Sequence, residues 1–191
     1  MNDPLSRVLA DAVDLLEQRG LAYALIGGFA SSLRGQPRVT ADVDMVIAAD
    51  VDGALQLLGT LDDTPFEPLF EDTEDVVRRA FILPLRHRAT GVKLDLAVGL
   101  SGFERQTMDR ANVIDVAGRS VSVATAEDLI VMKALAGRPH DDQDIRGMIV
   151  AQGEHLDWQY CLAIASDLGE AVDQDLKQRI IELRKATDFD P

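Results

Sequence analysis

The chain of 191 residues has a single cysteine, Cys161. That scarcity excludes an internal disulfide framework and a cysteine-based zinc site, and it suits a reducing cytoplasm. Long apolar runs are missing too. None approaches the roughly 20 residues a membrane-spanning helix needs, so no membrane partner is expected. The first residues carry Asp3, Asp11 and Asp14, which read as polar positions of a soluble helix and not as a signal peptide. Cations are scarce: 19 Lys plus Arg stand against 33 Asp plus Glu, a formal net charge of -14. Phosphate affinity rests on Lys and Arg, so binding of nucleic acid by bulk charge alone is disfavoured. Internal repeats and low-complexity segments are also absent. What is present is a globular composition, 47% hydrophobic and 27% charged, at a length that suits one domain, with room for a helical appendage.

The acid surplus is unevenly spread. From Ala41 to Asp75 there are eleven Asp or Glu and no Lys or Arg. From Arg78 to Lys93 the balance inverts, with Arg78, Arg79, Arg86, Arg88 and Lys93 and no acid among them. Two solvated faces of opposite sign account for this pattern. A sharper reading is a carboxylate-rich site beside a basic wall that could meet a polyanion, and chemistry elsewhere in the chain has to decide.

Residues Pro4 to Arg19 repeat apolar positions at helical spacing and end at Gly20, a natural C-cap. Tyr23 to Ile26 reads as a strand broken by Gly27-Gly28, and Phe29 to Leu33 as a short helix ending near Gly35. Asp42 to Ala48 is a buried strand, Val51 to Leu61 a helix and Thr64 to Asp75 an acidic loop. Val76 to Leu85 and Val92 to Val98 are strand-like, joined by a polar turn from His87 to Gly91. Ala111 to Val123 reads as a hairpin turning at Gly118-Arg119. After Thr125, a capping residue with Asp128, the pattern is helical: Ala126 to Ala136, Asp141 to Gln152, Trp158 to Leu168 and Val172 to Lys185. Trp158 and Tyr160 are expected to pack rather than to stack on bases. The fold class is therefore α+β: a small mixed sheet with flanking helices over residues 1–124, then a helical region over 125–191 packed on it.

The densest chemistry lies in LIGGFASSLRGQPRVTADVDMVI. Residues i and i+2 of a strand share a side, so Asp42 and Asp44 project together. Two adjacent carboxylates repel unless they share a proton or bind a cation, and hard oxygen ligands suit Mg²⁺. Gly27 and Gly28, ahead of a helix, would let backbone N–H groups approach a phosphate. Asp95 is the only acid in the strand VKLDLAV, where a lone carboxylate needs a partner. If that strand lies beside Asp42 and Asp44, the three acids make a two-metal site.

These residues resemble the nucleotidyltransferase superfamily with the DNA polymerase β-like fold, and more narrowly its AbiEii-type members, the abortive-infection, type IV toxin–antitoxin enzymes. The pattern Gly-Gly-x-Ala, then Gly-x-x-Arg-x-Thr-x-Asp-x-Asp, is met by Gly27, Gly28, Ala30, Gly35, Arg38, Thr40, Asp42 and Asp44. The later segment AEDLIVMKALAGRPHDDQDI resembles the family's lysine-bearing helix and its Arg-Pro-Lys-Asp-x-x-Asp-Ile run. The resemblance implies a cytoplasmic, NTP-dependent enzyme with two Mg²⁺ ions, or Mn²⁺ in their place, on Asp42, Asp44 and Asp95. It implies Lys133 and Arg38 as contacts to the nucleotide, and a cognate antitoxin as a partner. Two departures stand out. Phe29 replaces a serine at the phosphate, leaving Ser31 or Ser32 to supply a hydroxyl. His140 replaces a lysine, ahead of Asp141 and Asp144, which also read as plain first-turn helix acids.

The expected reaction is nucleotidyl transfer: Asp95 activates an acceptor hydroxyl that attacks the α-phosphate, and pyrophosphate leaves. An RNA or tRNA end would use Arg78, Arg79, Arg86, Arg88 and Lys93. A small cationic acceptor, as in antibiotic nucleotidyltransferases, would suit the acidic stretch from Glu67 to Asp75. A degenerate module that binds nucleotide or protein without catalysis is the third reading, favoured by Phe29 and His140.

Overall fold

Helix α1 spans Pro4–Gln18, started by Asp3, whose carboxylate accepts the Ser6 N–H, and by Pro4, whose fixed φ suits a first turn. Its apolar face, Val8, Leu9, Ala12, Val13, Leu15 and Leu16, is buried. The computed structural model describes residues 3–99 and 102–187. It divides into two compact units, Met1–Phe29 with Thr40–Ala124, and Ala30–Val39 with Thr125–Pro191.

The first unit is built on a sheet. Its strands are β1 (Tyr23–Ile26), β2 (Asp42–Ile47), β3 (Phe66–Pro68), β4 (Ile82–His87), β5 (Lys93–Val98), β6 (Asn112–Val116) and β7 (Arg119–Val123). They lie in the order β3-β4-β5-β2-β1-β7-β6. The β2–β5 and β1–β7 pairs are parallel and the others antiparallel, which makes the sheet mixed, as expected. In β5 the alternation is strict: Leu94, Leu96 and Val98 are buried, while Lys93, Asp95 and Ala97 face the other way. Each fully buried leucine contributes about 1.5–3 kcal/mol to holding that face inward. His87, expected in a polar turn, is instead wholly buried at the end of β4. Its Nε2 lies 2.9 Å from Asp11 Oδ2, tying β4 to α1.

Three elements depart from the sequence reading. Residues 76–80, expected as strand, belong to helix α4 (Thr73–Ala80). Its acids Glu74 and Asp75 fill the first turn and Arg78 and Arg79 the last, the arrangement the helix dipole favours. The expected acidic loop accordingly holds β3 and the start of that helix. Helix α5 (Gly102–Arg110) was unforeseen, because only Thr107 of its nine residues is buried and no apolar stripe marks it. The remaining helix of this unit, α3 (Val51–Leu58), is capped by Asp50, whose Oδ1 accepts the Gly53 N–H.

Helix α2 (Gly27–Arg34) begins at the two glycines. The second unit otherwise consists of α6 (Ala126–Ala136), α7 (Pro139–Gln152), a 3₁₀ turn (Gly153–His155), α8 (Trp158–Val172) and α9 (Leu176–Lys185). Thr125 caps α6 as expected: its Oγ1 accepts the Asp128 N–H and donates to Asp128 Oδ2 at 2.8 Å. The last helix starts later than Val172 because Asp173 takes the left-handed conformation that ends α8, and Asp175 then caps α9. Cys161 is buried in α8, and that burial pushes its thiol up to about 12, far from reactive. Among the described residues no helix is long and apolar enough to cross a membrane.

The β6–β7 hairpin turns one residue earlier than expected, at Ala117-Gly118, with φ of 54° and 86°. A two-residue turn with both φ positive is type I′, which prefers Asn-Gly, and an alanine there costs about 1 kcal/mol. Ala117→Asn should therefore raise stability by about 0.5–1 kcal/mol, read as a higher urea midpoint at unchanged m-value. A lower midpoint would show that the turn is not strained at this position.

Candidate active site

Strands β2 and β5 run parallel in a register that sets Asp42 beside Lys93 and Asp44 beside Asp95. Neighbouring strands lie about 4.8 Å apart and side chains alternate, so these four share one face. Val43, Met45, Leu94 and Leu96 point to the other face and are completely buried. The result is a block of three carboxylates and one ammonium. Lys93 Nζ lies 2.5 Å from Asp95 Oδ2, while Asp95 Oδ1 is buried with no hydrogen-bond partner. Asp42 Oδ1 accepts from Thr40 Oγ1 at 3.1 Å. Asp44 is pushed up to about 6 by burial, then by the charges of Asp42 and Asp95, against a hydrogen bond from the Gly28 N–H and the charge of Lys93.

The two glycines serve this block. Ile26 pairs with Asp44 across β1 and β2, so the next residue lies against that carboxylate. Gly27 holds φ +67°, and a Cβ there would collide with the Asp44 side chain, its Cγ standing only 2.5 Å away. Glycine is required twice over, by conformation and by space.

The donor chemistry of the block fits a hard divalent cation. It offers carboxylate oxygens on one face, one of them buried and without a partner, and burial together with the charges of Asp42 and Asp95 pushes Asp44 up. Among the described residues no three His, Cys, Asp or Glu side chains are gathered into a metal-binding cluster. In the structure Asp95 is turned to Lys93 instead.

A separate ionic cluster lies within the second unit. Lys133 on α6 is buried, and its Nζ donates to Asp141 Oδ1 at 2.9 Å and to Asp144 Oδ2 at 2.7 Å. Arg38 grips Asp144 with two bonds, Nε to Oδ1 at 2.6 Å and Nη2 to Oδ2 at 3.0 Å. Arg138 donates to Asp141 through its backbone N–H and its guanidinium. Burial pushes the Asp141 carboxyl up, but hydrogen bonds from Arg138 and Lys133 outweigh it and hold the group at about 2. Asp144 is lowered in the same way by Arg38 and Lys133.

A family model described as nucleotidyltransferase of unknown function (DUF6036) matches residues 3–189. The chain belongs to that family. No curated protein matches it. Among solved structures, this nucleotidyltransferase is similar to an antigenic nucleotidyltransferase-like protein from Paracoccidioides brasiliensis, at 22% identity and a TM-score of 0.54, with 92% of this chain and 93% of the other covered. It is similar to the lincosamide antibiotic adenylyltransferase LnuA bound to lincomycin, at 18% identity and a TM-score of 0.52, covering 77% of this chain and 98% of that one. It is also similar to ANT(2")-Ia in complex with adenylyl-2"-tobramycin, at 14% identity and a TM-score of 0.57, covering 87% and 98%. At these identities the likeness concerns the fold.

Three cations of the basic wall expected of this nucleotidyltransferase are paired with carboxylates. Arg86 Nε and Arg88 Nη1 each lie 2.9 Å from the Glu67 carboxylate, and Lys93 is held by Asp95. Arg78 and Arg79 stand exposed on α4. Of the residues expected at the nucleotide, Ser31 is buried, and Arg38 and Lys133 meet around Asp144. His140 is half-exposed, with Nε2 3.5 Å from Asp141 Oδ1. Asp141 and Asp144 were underrated as first-turn acids. Their spacing of three puts both on one face of α7, and that spacing, with a lysine eight residues upstream, was the available signal.

Removing Lys133 leaves two buried carboxylates short of a partner. Lys133→Met should cost about 3–5 kcal/mol, measured by urea unfolding, and a loss under 1 kcal/mol would refute a buried network here. Asp141 carries its own pH signature. Its folded value lies below the ordinary 3.8, so its contribution is present above pH 4 and lost as pH falls towards 2. Unfolding midpoints taken between pH 5 and 2 should fall with acid, and less steeply in Asp141→Asn. Equal slopes in the two proteins would contradict the assignment.

Proposed function

We infer that this nucleotidyltransferase moves a nucleoside monophosphate from an NTP to the hydroxyl of a small-molecule acceptor. The observation that carries the chemistry is the register that sets Asp44 beside Asp95, with Asp42 two residues along on the same face. These carboxylates would hold Mg²⁺, or Mn²⁺, which neutralises phosphate charge and orients the attacking and leaving oxygens. Asp95, with one oxygen unpartnered, takes the proton of the acceptor hydroxyl. The hydroxyl oxygen then bonds to the α-phosphorus, the bond to the bridging oxygen of the β-phosphate breaks, and pyrophosphate departs. Gly27 leaves the space in which the Asp44 carboxylate stands, and the Gly28 N–H steadies it.

The acceptor class follows from charge. The Glu67 carboxylate is shared by Arg86 and Arg88 and Asp95 pairs with Lys93, which lowers the net positive charge that the densest basic stretch offers to a polyanion. Glu71, Asp72, Glu74 and Asp75 remain exposed beside it and favour a cationic acceptor. The fold is shared with proteins captured with lincomycin and with adenylyl-tobramycin, which supports acceptors of that size. A second reading, an RNA or tRNA end modified by a toxin-like enzyme with a cognate antitoxin, is favoured by the exposed pair Arg78 and Arg79.

Asp44→Ala should lower Mg²⁺-dependent NTP turnover by more than about 100-fold with the circular dichroism melt intact, since even partners of metal ligands are worth 10–100-fold. The paired experiment offers α-labelled NTPs with aminoglycosides, lincosamides and total RNA. Label on a small molecule is the expected result. Label on RNA alone would replace the acceptor assignment, and turnover that survives in Asp44→Ala would remove the metal site.

A further inference from the structure

Lys93 is the one member of the carboxylate block that the nucleotidyl-transfer reading leaves without a task. Its position is set from both sides of β5. Arg86 on β4 and Asp42 on β2 stand directly opposite it, and Arg86 in turn faces Glu67 on β3. The row Glu67–Arg86–Lys93–Asp42 thus runs across four strands with its charges in sequence minus, plus, plus, minus. Arg86 is taken by Glu67, with Nε at 2.9 Å and Nη2 at 2.7 Å from Oε1. Lys93 has the directly opposed Asp42 available, yet its ammonium turns along its own strand to Asp95 Oδ2, 2.5 Å away.

That choice places the only cation of the block on the carboxylate that has an unpartnered oxygen. Asp44 feels the charges of both Asp42 and Asp95, and a cation on this face of the sheet offsets that repulsion. We propose that Lys93 is the resident counter-cation of the site, holding Asp95 in the metal-free enzyme and setting the affinity for the divalent ion by competing for that carboxylate. The inference rests on the metal reading of Asp42, Asp44 and Asp95. A divalent ion that engages Asp95 must share it with an ammonium at hydrogen-bond distance or displace it. Either route costs binding free energy, through repulsion of like charges or through loss of the Lys93–Asp95 bond. Displacement is feasible because the lysine is partly exposed, 40% for its side chain, so the released ammonium regains water. Lys93 acts through Asp95 and is a positioning residue, not one that touches the reacting atoms.

The test is Mn²⁺ binding to the full-length protein without nucleotide, by isothermal titration and by the loss of the free Mn²⁺ electron paramagnetic signal. The proteins are wild type, Lys93→Met, which keeps the apolar stem and removes the charge, and Lys93→Arg, which keeps the charge. Lys93→Met should bind Mn²⁺ about tenfold more tightly than wild type. It should also melt lower without metal and gain more in melting temperature on Mn²⁺ addition, while Lys93→Arg stays near wild type in both. A merely structural lysine would lower the melting temperature in Lys93→Met and leave Mn²⁺ affinity unchanged, and that result overturns the proposal. So does weaker binding in Lys93→Met. Equal Mn²⁺ binding by wild type and Lys93→Met overturns the role of Lys93 alone and leaves the metal site standing. No Mn²⁺ binding by either protein overturns both.

Discussion

Parallel pairing of β2 with β5 forces like charges together. Asp44 stands directly beside Asp95 because Val43 and Met45 are buried on the other face with Leu94 and Leu96. A slip of β2 by one residue would turn Val43 and Met45 to the carboxylate face and Asp42 and Asp44 into the core, so the core holds the site in its unfavourable arrangement. The surrounding residues answer that repulsion. Gly27 has no Cβ to crowd Asp44, the Gly28 N–H donates to it, Thr40 donates to Asp42 and Lys93 to Asp95. A site under electrostatic strain, held by apolar packing, is suited to a ligand that brings positive charge.

The chain uses two lysines against clustered carboxylates, and their burial separates their roles. Lys133 is shut away with Asp141 and Asp144, and releasing it would strand buried charges. Its pairing is permanent on energetic grounds, and Arg38 and Arg138 complete the shell around the two acids. Lys93 is bound to a single carboxylate and is partly in water, so its release strands no buried ammonium. That bond is open to exchange. The resemblance to a lysine-bearing helix implies Lys133 as a charge offered to nucleotide, and the structure pairs that charge with Asp141 and Asp144.

What the sequence made legible was whatever has a short period. Alternation in DVDMVI and KLDLAV marked β2 and β5 and put Asp42, Asp44 and Asp95 forward as a group. Thr125 and the helical repeat marked α6 to the residue. Helix α5 escaped because it buries almost nothing, and α4 was misread because Val76 and Val77 suggest strand when the acids before them and arginines after them are ignored. Choice of ion-pair partner was not legible at all. Glu67 and Arg86 are 19 positions apart in sequence, and only the β3–β4 register reveals that they are neighbours. Arg38 and Asp144 meet across an even longer separation.

The net charge of -14 therefore carries less information than the places where charge is cancelled. In the linear sequence the acidic run to Asp75 and the basic run from Arg78 are two blocks, and blocks invite readings as a metal site and a nucleic-acid wall. The sheet interleaves them. Glu67 from the acidic block pairs with both Arg86 and Arg88 from the basic one, and Lys93 from the basic block pairs with Asp95 beside the acidic pair. Only two cations of the basic run, Arg78 and Arg79, stay clear of these pairs, and both sit on α4 with Glu74 and Asp75 one turn away. Each such pairing weakens the hold on a long polyanion, since affinity for phosphates grows with the number of uncompensated cations. For a small acceptor of the kind proposed, selectivity would come from shape and a few polar contacts near Asp95, with long-range charge playing the lesser part.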